Sequence, residues 1–262
     1  MNFLPHKSPH SSTHFNLKGR KALIVTTSQA TLDTVDAEGN TVKTGKATGV
    51  YASEMTEPYY AFVEAGMDVD LASIKGGNIP IEKLSLMPLV RTKTDSRFLK
   101  DNDFQKKANQ SISIEDIDFT AYDIVFLSGG WGAAYDFAQS DELAKKISQA
   151  YAKDIVIGAV CHGPLGLVGA KKPDGTALVK GVKTTGVTNK QLKQLMVGDT
   201  PKHPETELRK LDSNYSSRTG LIDMFMSHIV VDEKHNIVTG QNQKCGVQAA
   251  NHAMQLLSNR VK

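Results

Sequence analysis

The chain has 262 residues, 40% apolar and 23% charged, and its 31 Lys and Arg against 28 Asp and Glu leave a net charge of +3. That length can bury a full core and the composition is that of an ordinary globular protein, while so weak a charge with no aromatic-interleaved basic patch argues against nucleic acid as a partner. Two cysteines, Cys161 and Cys245, are too few for a disulfide framework and too isolated for a CxxC-type metal site, so a reduced cytoplasmic setting is expected and no metal.

Residues 1–17 read as a flexible leader ahead of one domain over residues 18–262. The leader is polar and rich in Pro, Ser and His, without the apolar core of a secretory signal. His6, His10 and His14 would share one face of a helix and could bind metal there, but Pro9 and the serines around it argue against that helix. The first strand is Lys21 to Thr27, and Ser28 to Lys46 reads as a long loop or small hairpin. A helix is expected from about Tyr51 to Ala65, ended by Gly66, with Pro58 kinking it or starting it afresh. A strand from Asp68 to Ser73 completes a β-α-β unit. Lys75 to Asp118 is irregular apart from a helix expected over Asp95 to Ile112.

The third strand, Asp123 to Ser128, runs into Gly129-Gly130-Trp131-Gly132, and a helix follows from about Asp141 to Lys153. Next comes the run Ile155 to Val160. It stops at Cys161-His162-Gly163-Pro164, the pattern of a buried strand, a sharp turn and a helix. Its extension to Ala170 is interrupted by His162 and Pro164 and is too short to span a bilayer, so no membrane is expected. Gly181 to Thr188 reads as strand and turn. Two strands, His228 to Asp232 and Asn236 to Thr239, and a helix over Cys245 to Leu257 close the chain. Alternating strands and helices predict an α/β fold: an open, mostly parallel sheet with helices on both faces and its active site at the C-terminal strand ends.

Cys161 falls at such an end. A thiol at the entrance to a helix gains from the helix dipole and free N–H groups, which predicts a nucleophile with thiolate character. His162 offers a backbone N–H for an oxyanion site and an imidazole for acid-base work or for orientation by a distant carboxylate. Gly129 and Gly130 can bring backbone N–H groups close to a substrate oxygen, although Gly-Gly after a strand is also a common turn. Trp131 either roofs the pocket or packs in the core. Glu54, in the first turn of its helix, reads locally as a solvated or capping acid. Cys245 reads as packing.

Six motifs occur in order over about Lys21 to Leu257. They are Thr48-Gly49 through Glu54 to Pro58, the aromatic helix after it, Glu64-Ala65-Gly66 with Val69 and Ala72-Ser73, Tyr122 to Gly132, Ala159 to Pro164, and Gly240-Gln241-Asn242. Together they resemble the ThiJ/PfpI superfamily, which is class I glutamine-amidotransferase-like. The branch most similar holds heat-shock chaperones and glutathione-independent glyoxalase III. The resemblance implies a flavodoxin-like three-layer sandwich with a nucleophile elbow, working as a homodimer without an organic cofactor. It implies Cys161 as nucleophile, Glu54 as its hydrogen-bonded proton carrier, His162 as the adjacent histidine, and an oxyanion and substrate-binding site near Gly130 and Trp131.

The chain departs from the branch at four places. Trp131 and Glu57 stand where relatives usually carry histidine, and Gln243 stands where they carry proline. The segment around Asn189-Lys190-Gln191 has amides where many relatives have the acid that orients the histidine. The expected function is a cofactor-independent cysteine enzyme acting on a small-molecule aldehyde, converting 2-oxoaldehydes such as methylglyoxal to 2-hydroxy acids. The alternatives are a stress-related holdase chaperone, an amidase or deglycase-type hydrolase using the same cysteine, and a thiol redox sensor.

Overall fold

The computed structural model describes residues 15–36, 40–195, 200–220 and 226–260, so the three leader histidines lie outside the described residues. The long apolar runs become strands close to their expected bounds, and shorter strands of two or three residues join them. They are β1 (Lys21–Thr26), β2 (Thr34–Val35), β3 (Thr41–Lys43), β4 (Asp68–Ser73), β5 (Ile112–Ser113), β6 (Ile124–Leu127), β7 (Val156–Val160), β8 (Lys183–Thr184), β9 (Asn214–Tyr215), β10 (Ile229–Asp232) and β11 (Ile237–Gly240). The helices are α1 (Ala52–Glu64), α2 (Lys93–Phe98), α3 (Asn102–Asn109), α4 (Ala133–Asp136), α5 (Asp141–Ala152), α6 (Asn189–Gln194), α7 (Pro204–Lys210) and α8 (Gly246–Arg260).

Seven strands form one sheet in the order β10-β11-β7-β6-β1-β4-β5, parallel throughout except where β10 pairs antiparallel with β11. Side chains alternate between its faces. Ala22 and Ile24 of β1 enter a core under α1 and α8, while Leu23 and Val25 enter a second core under α4 and α5. Gly158 in β7 leaves room for Phe126 of β6, because a Cβ there would overlap the aromatic ring. The result is a three-layer α/β sandwich of the flavodoxin-like kind. No described helix is long and apolar enough to cross a membrane.

Three local expectations change. The helix expected over Asp95 to Ile112 is two helices and a strand. Thr92 and Asp95 form a reciprocal capping box on α2, Asp101 starts α3 by accepting the Phe104 N–H at 3.0 Å, and Ile112 pairs in β5 beside β4. The segment after the elbow is only a five-residue 3-10 turn, Gly163–Leu167. Pro58 lies inside α1, which continues through it to Glu64. Proline lacks the N–H that would bond the carbonyl four residues back, which belongs to Glu54. The Ser128 hydroxyl donates to that carbonyl instead, at 2.8 Å. The β6 loop therefore anchors the backbone of Glu54.

Candidate active site

β7 delivers Cys161 into a left-handed conformation, φ +57°, which few residues other than glycine adopt. The turn is held from both sides: the Cys161 N–H donates to the Gly240 carbonyl at 2.9 Å, and its own carbonyl accepts the Val187 N–H at 3.0 Å. The thiol opens into a cavity of about 220 Å³ at the C-terminal ends of β6, β7 and β11. Glu54, Gly130 and Trp131 line the same cavity, so the fold brings together four of the residues singled out in the sequence. His162 lies directly behind, fully buried.

Glu54 occupies the first turn of α1 and is 1% exposed. Burial pushes its carboxyl up to about 8, against the pull of hydrogen bonds from the Cys161 thiol and the Gly129 backbone. Its Oε2 lies 2.5 Å from where a Cβ on Gly129 would stand, so only glycine allows the β6 loop this close. Gly130 has φ +100°, and a Cβ there would overlap the Gly49 carbonyl.

Burial and the neighbouring Glu54 charge raise the Cys161 thiol well above its ordinary value, while the N–H groups of Gly130 and His162 pull it back. The thiolate expected from a helix dipole is therefore not the resting state. A five-residue 3-10 turn supplies little dipole, and desolvation outweighs it. Both members of the resting pair hold their protons at neutral pH, and Glu54 yields first.

The His162 Nδ1 lies 3.6 Å from the Cys161 Sγ. Its Nε2 is buried and has no hydrogen-bond partner among the described residues. Burial, then the like charge of His203, lowers this imidazole to about 3. Gln191 is spent on a capping box with Thr188, and Asn189 bonds Glu205 and Thr206. No described carboxylate completes a Cys-His-acid triad. Trp131 meets His162 edge to face, with ring centroids 5.3 Å apart.

Sequence reasoning missed Tyr51, Glu82, Leu84, Val187 and Leu195, which also line the cavity. They come from three separate segments and carry no local signal of a site. Among the described residues, no cluster of three or more His, Cys, Asp or Glu side chains is arranged to hold a metal.

The DJ-1/PfpI family profile matches residues 46–254. The chain belongs to the DJ-1/PfpI family. Glyoxalase 3 of Candida albicans is 30% identical to this DJ-1/PfpI chain over 214 residues, which cover 79% of this chain and 88% of that protein. The crystal structure of glyoxalase III from Candida albicans superposes with a TM-score of 0.76 at 27% identity, covering 90% of this chain and 97% of that one. The Rapid Encystment Protein 24 kDa of Francisella tularensis superposes with a TM-score of 0.81 at 29% identity, covering 91% and 99% of the two chains.

Proposed function

We propose that this chain is a glutathione-independent glyoxalase that converts small 2-oxoaldehydes to 2-hydroxy acids, with Cys161 as nucleophile and Glu54 as proton carrier. The observation that carries this reading is the buried Glu54–Cys161 pair, carboxyl and thiol coupled to one another at the floor of a cavity of small-molecule size. The glyoxalase names of its relatives agree with it.

The chemistry follows from the pair. Ionised Glu54 takes the thiol proton as sulfur adds to the aldehyde carbon, and hands that proton to the aldehyde oxygen, giving a hemithioacetal. The N–H groups of Gly130 and His162, which face the thiol, hold the charge that develops on oxygen. Glu54 then removes the hydrogen on the first carbon as a proton and returns it to the second, while the hydroxyl proton on the first carbon's oxygen passes to the second carbon's oxygen, leaving a thioester of the 2-hydroxy acid. Water cleaves the thioester and restores the thiol. His162 is neutral at physiological pH and positions the sulfur through Nδ1.

The test is lactate formation from methylglyoxal without glutathione. Wild type should form lactate, and Cys161→Ala and Glu54→Gln should not. Equal rates in wild type and Cys161→Ala would refute the mechanism. An amidase or deglycase reading is weaker, because acyl transfer from an amide draws on an oriented, protonatable histidine. The proposed working state is a cytoplasmic homodimer built on one domain over residues 18–262, which light scattering and limited proteolysis would test.

A second reading, a holdase chaperone, draws on one feature. Leu84, Met87, Leu89 and Val90 are exposed within seven residues, Leu89 at 98%. Suppression of client aggregation that survives Cys161→Ala but is lost in Leu89→Ser would support it.

A further inference from the structure

The cavity above Cys161 is larger and more apolar than methylglyoxal requires. At about 220 Å³ it has room for about seven waters, each taking ~30 Å³ in the liquid. Methylglyoxal has five non-hydrogen atoms, and four of them form the reacting dicarbonyl unit against Cys161, Glu54 and the Gly130 N–H. Its single methyl group leaves the rest of the space unfilled.

That remaining space is walled by Tyr51, Leu84, Trp131, Val187 and Leu195. Glu82, Gln191, Asn242 and Gln243 complete the lining, and two of these, Gln191 and Asn242, are turned to the backbone. The Gln191 Oε1 accepts the Thr188 N–H at 2.9 Å, and Asn242 spends its Nδ2 on the Met226 carbonyl at 2.9 Å and its Oδ1 on the Lys244 N–H at 3.1 Å. Both amides are 1% exposed. Beyond the polar floor, the surface offered to a ligand is mostly aromatic and aliphatic carbon. Leu84 carries it out to the mouth, where that side chain is 63% exposed.

Resting on the glyoxalase reading above, we propose that the substrates of this site are 2-oxoaldehydes bearing a branched-alkyl or aryl substituent. The dicarbonyl end sits at the thiol and the apolar arm lies against Trp131 and Leu195. A methyl group removes little of this wall from water, whereas an isobutyl group covers more of it and gains transfer free energy with each carbon. The reaction balances as before: one water is consumed, one carbon–hydrogen bond moves from the first carbon to the second, and a branched or aryl 2-hydroxy acid leaves.

The test compares isobutylglyoxal with methylglyoxal, two alkyl 2-oxoaldehydes with the same reacting group. Three additional carbons in an apolar pocket should raise kcat/KM by at least about tenfold, since each methylene is worth roughly 10–200-fold in a well-fitted one. Trp131→Ala should cut that preference at least tenfold. Leu195→Ala truncates the same wall should the first variant fail to fold. If methylglyoxal is turned over as fast as isobutylglyoxal or faster, or if both truncations leave the ratio unchanged, the inference is overturned and the glyoxalase reading stands. If neither aldehyde yields a 2-hydroxy acid, both are overturned.

Discussion

A general base works best when its pKa lies near the working pH. Glu54, pushed up to about 8 by burial, meets that condition, and His162, lowered to about 3 by burial, does not. Proton transfer therefore falls to the carboxyl on α1 rather than to the imidazole beside the sulfur. The rate constant kcat/KM should rise with pH and level off above about 8, as Glu54 ionises. Glu54→Gln should lose roughly 10²–10⁴-fold in activity. The same substitution tests the burial cost. The native state holds the Glu54 proton from its ordinary value of 4.5 up to about 8, so it binds more protons than the unfolded chain in that window. Stability therefore falls as pH rises through it. Glu54→Gln removes that loss, and its melting temperature should exceed wild type most clearly above pH 8. An equal or lower melting temperature there would count against a buried, neutral Glu54. Cys161 was legible from the strand that ends at it. Glu54 was legible only through the resemblance, because an acid in a helix's first turn ordinarily caps or faces water.

The central strands were the legible elements, because β1, β6, β7 and β11 are short apolar runs with both faces buried. β4 falls on its expected bounds and β1 ends one residue early. Short helices were not. α6 and α7 have six and seven residues, too short for an apolar face to repeat, and they form because Thr188 and Pro204 start them against the core. The division of 95–112 was equally hidden: Asp101 looks like any surface acid until its carboxyl accepts the Phe104 N–H. The cavity wall depends on loops converging from distant segments, which no local pattern records. In β7, Gly158 lies directly against the Phe126 ring. Gly158→Ala should drive a methyl group into the Phe126 ring and cost about 1–3 kcal/mol of stability, measured by urea unfolding. Because β7 aims Cys161, activity should fall with it, and a neutral result would mean that β6 and β7 have slack.

Across the whole molecule, one hydrogen bond ties early and late chain together. Glu57 of α1 accepts the Val247 N–H at the start of α8, at 3.1 Å and 190 residues away in sequence. Burial pushes Glu57 up to about 7, against the pull of that N–H, and its charge opposes ionisation of Glu54 three residues earlier. Glu57→Gln keeps an acceptor for Val247 and removes the charge. The acid limb of the kcat/KM profile should move to lower pH, and an unmoved limb would show that the two carboxyls do not communicate. Pro58, next to it, bears on any attempt to engineer a sturdier protein. A scan of α1 for poor helix formers would choose it first, since alanine is favoured over proline by about 3 kcal/mol in a helix interior. Here the exchange brings an amide into competition for a carbonyl that Ser128 already occupies. Should the amide win, a buried hydroxyl loses its acceptor, at about 1–3 kcal/mol, and the β6 loop loses its tether to the general base. Pro58→Ala should thus gain far less stability than helix propensity promises and should slow turnover, a trade that ranking substitutions by secondary structure alone would miss.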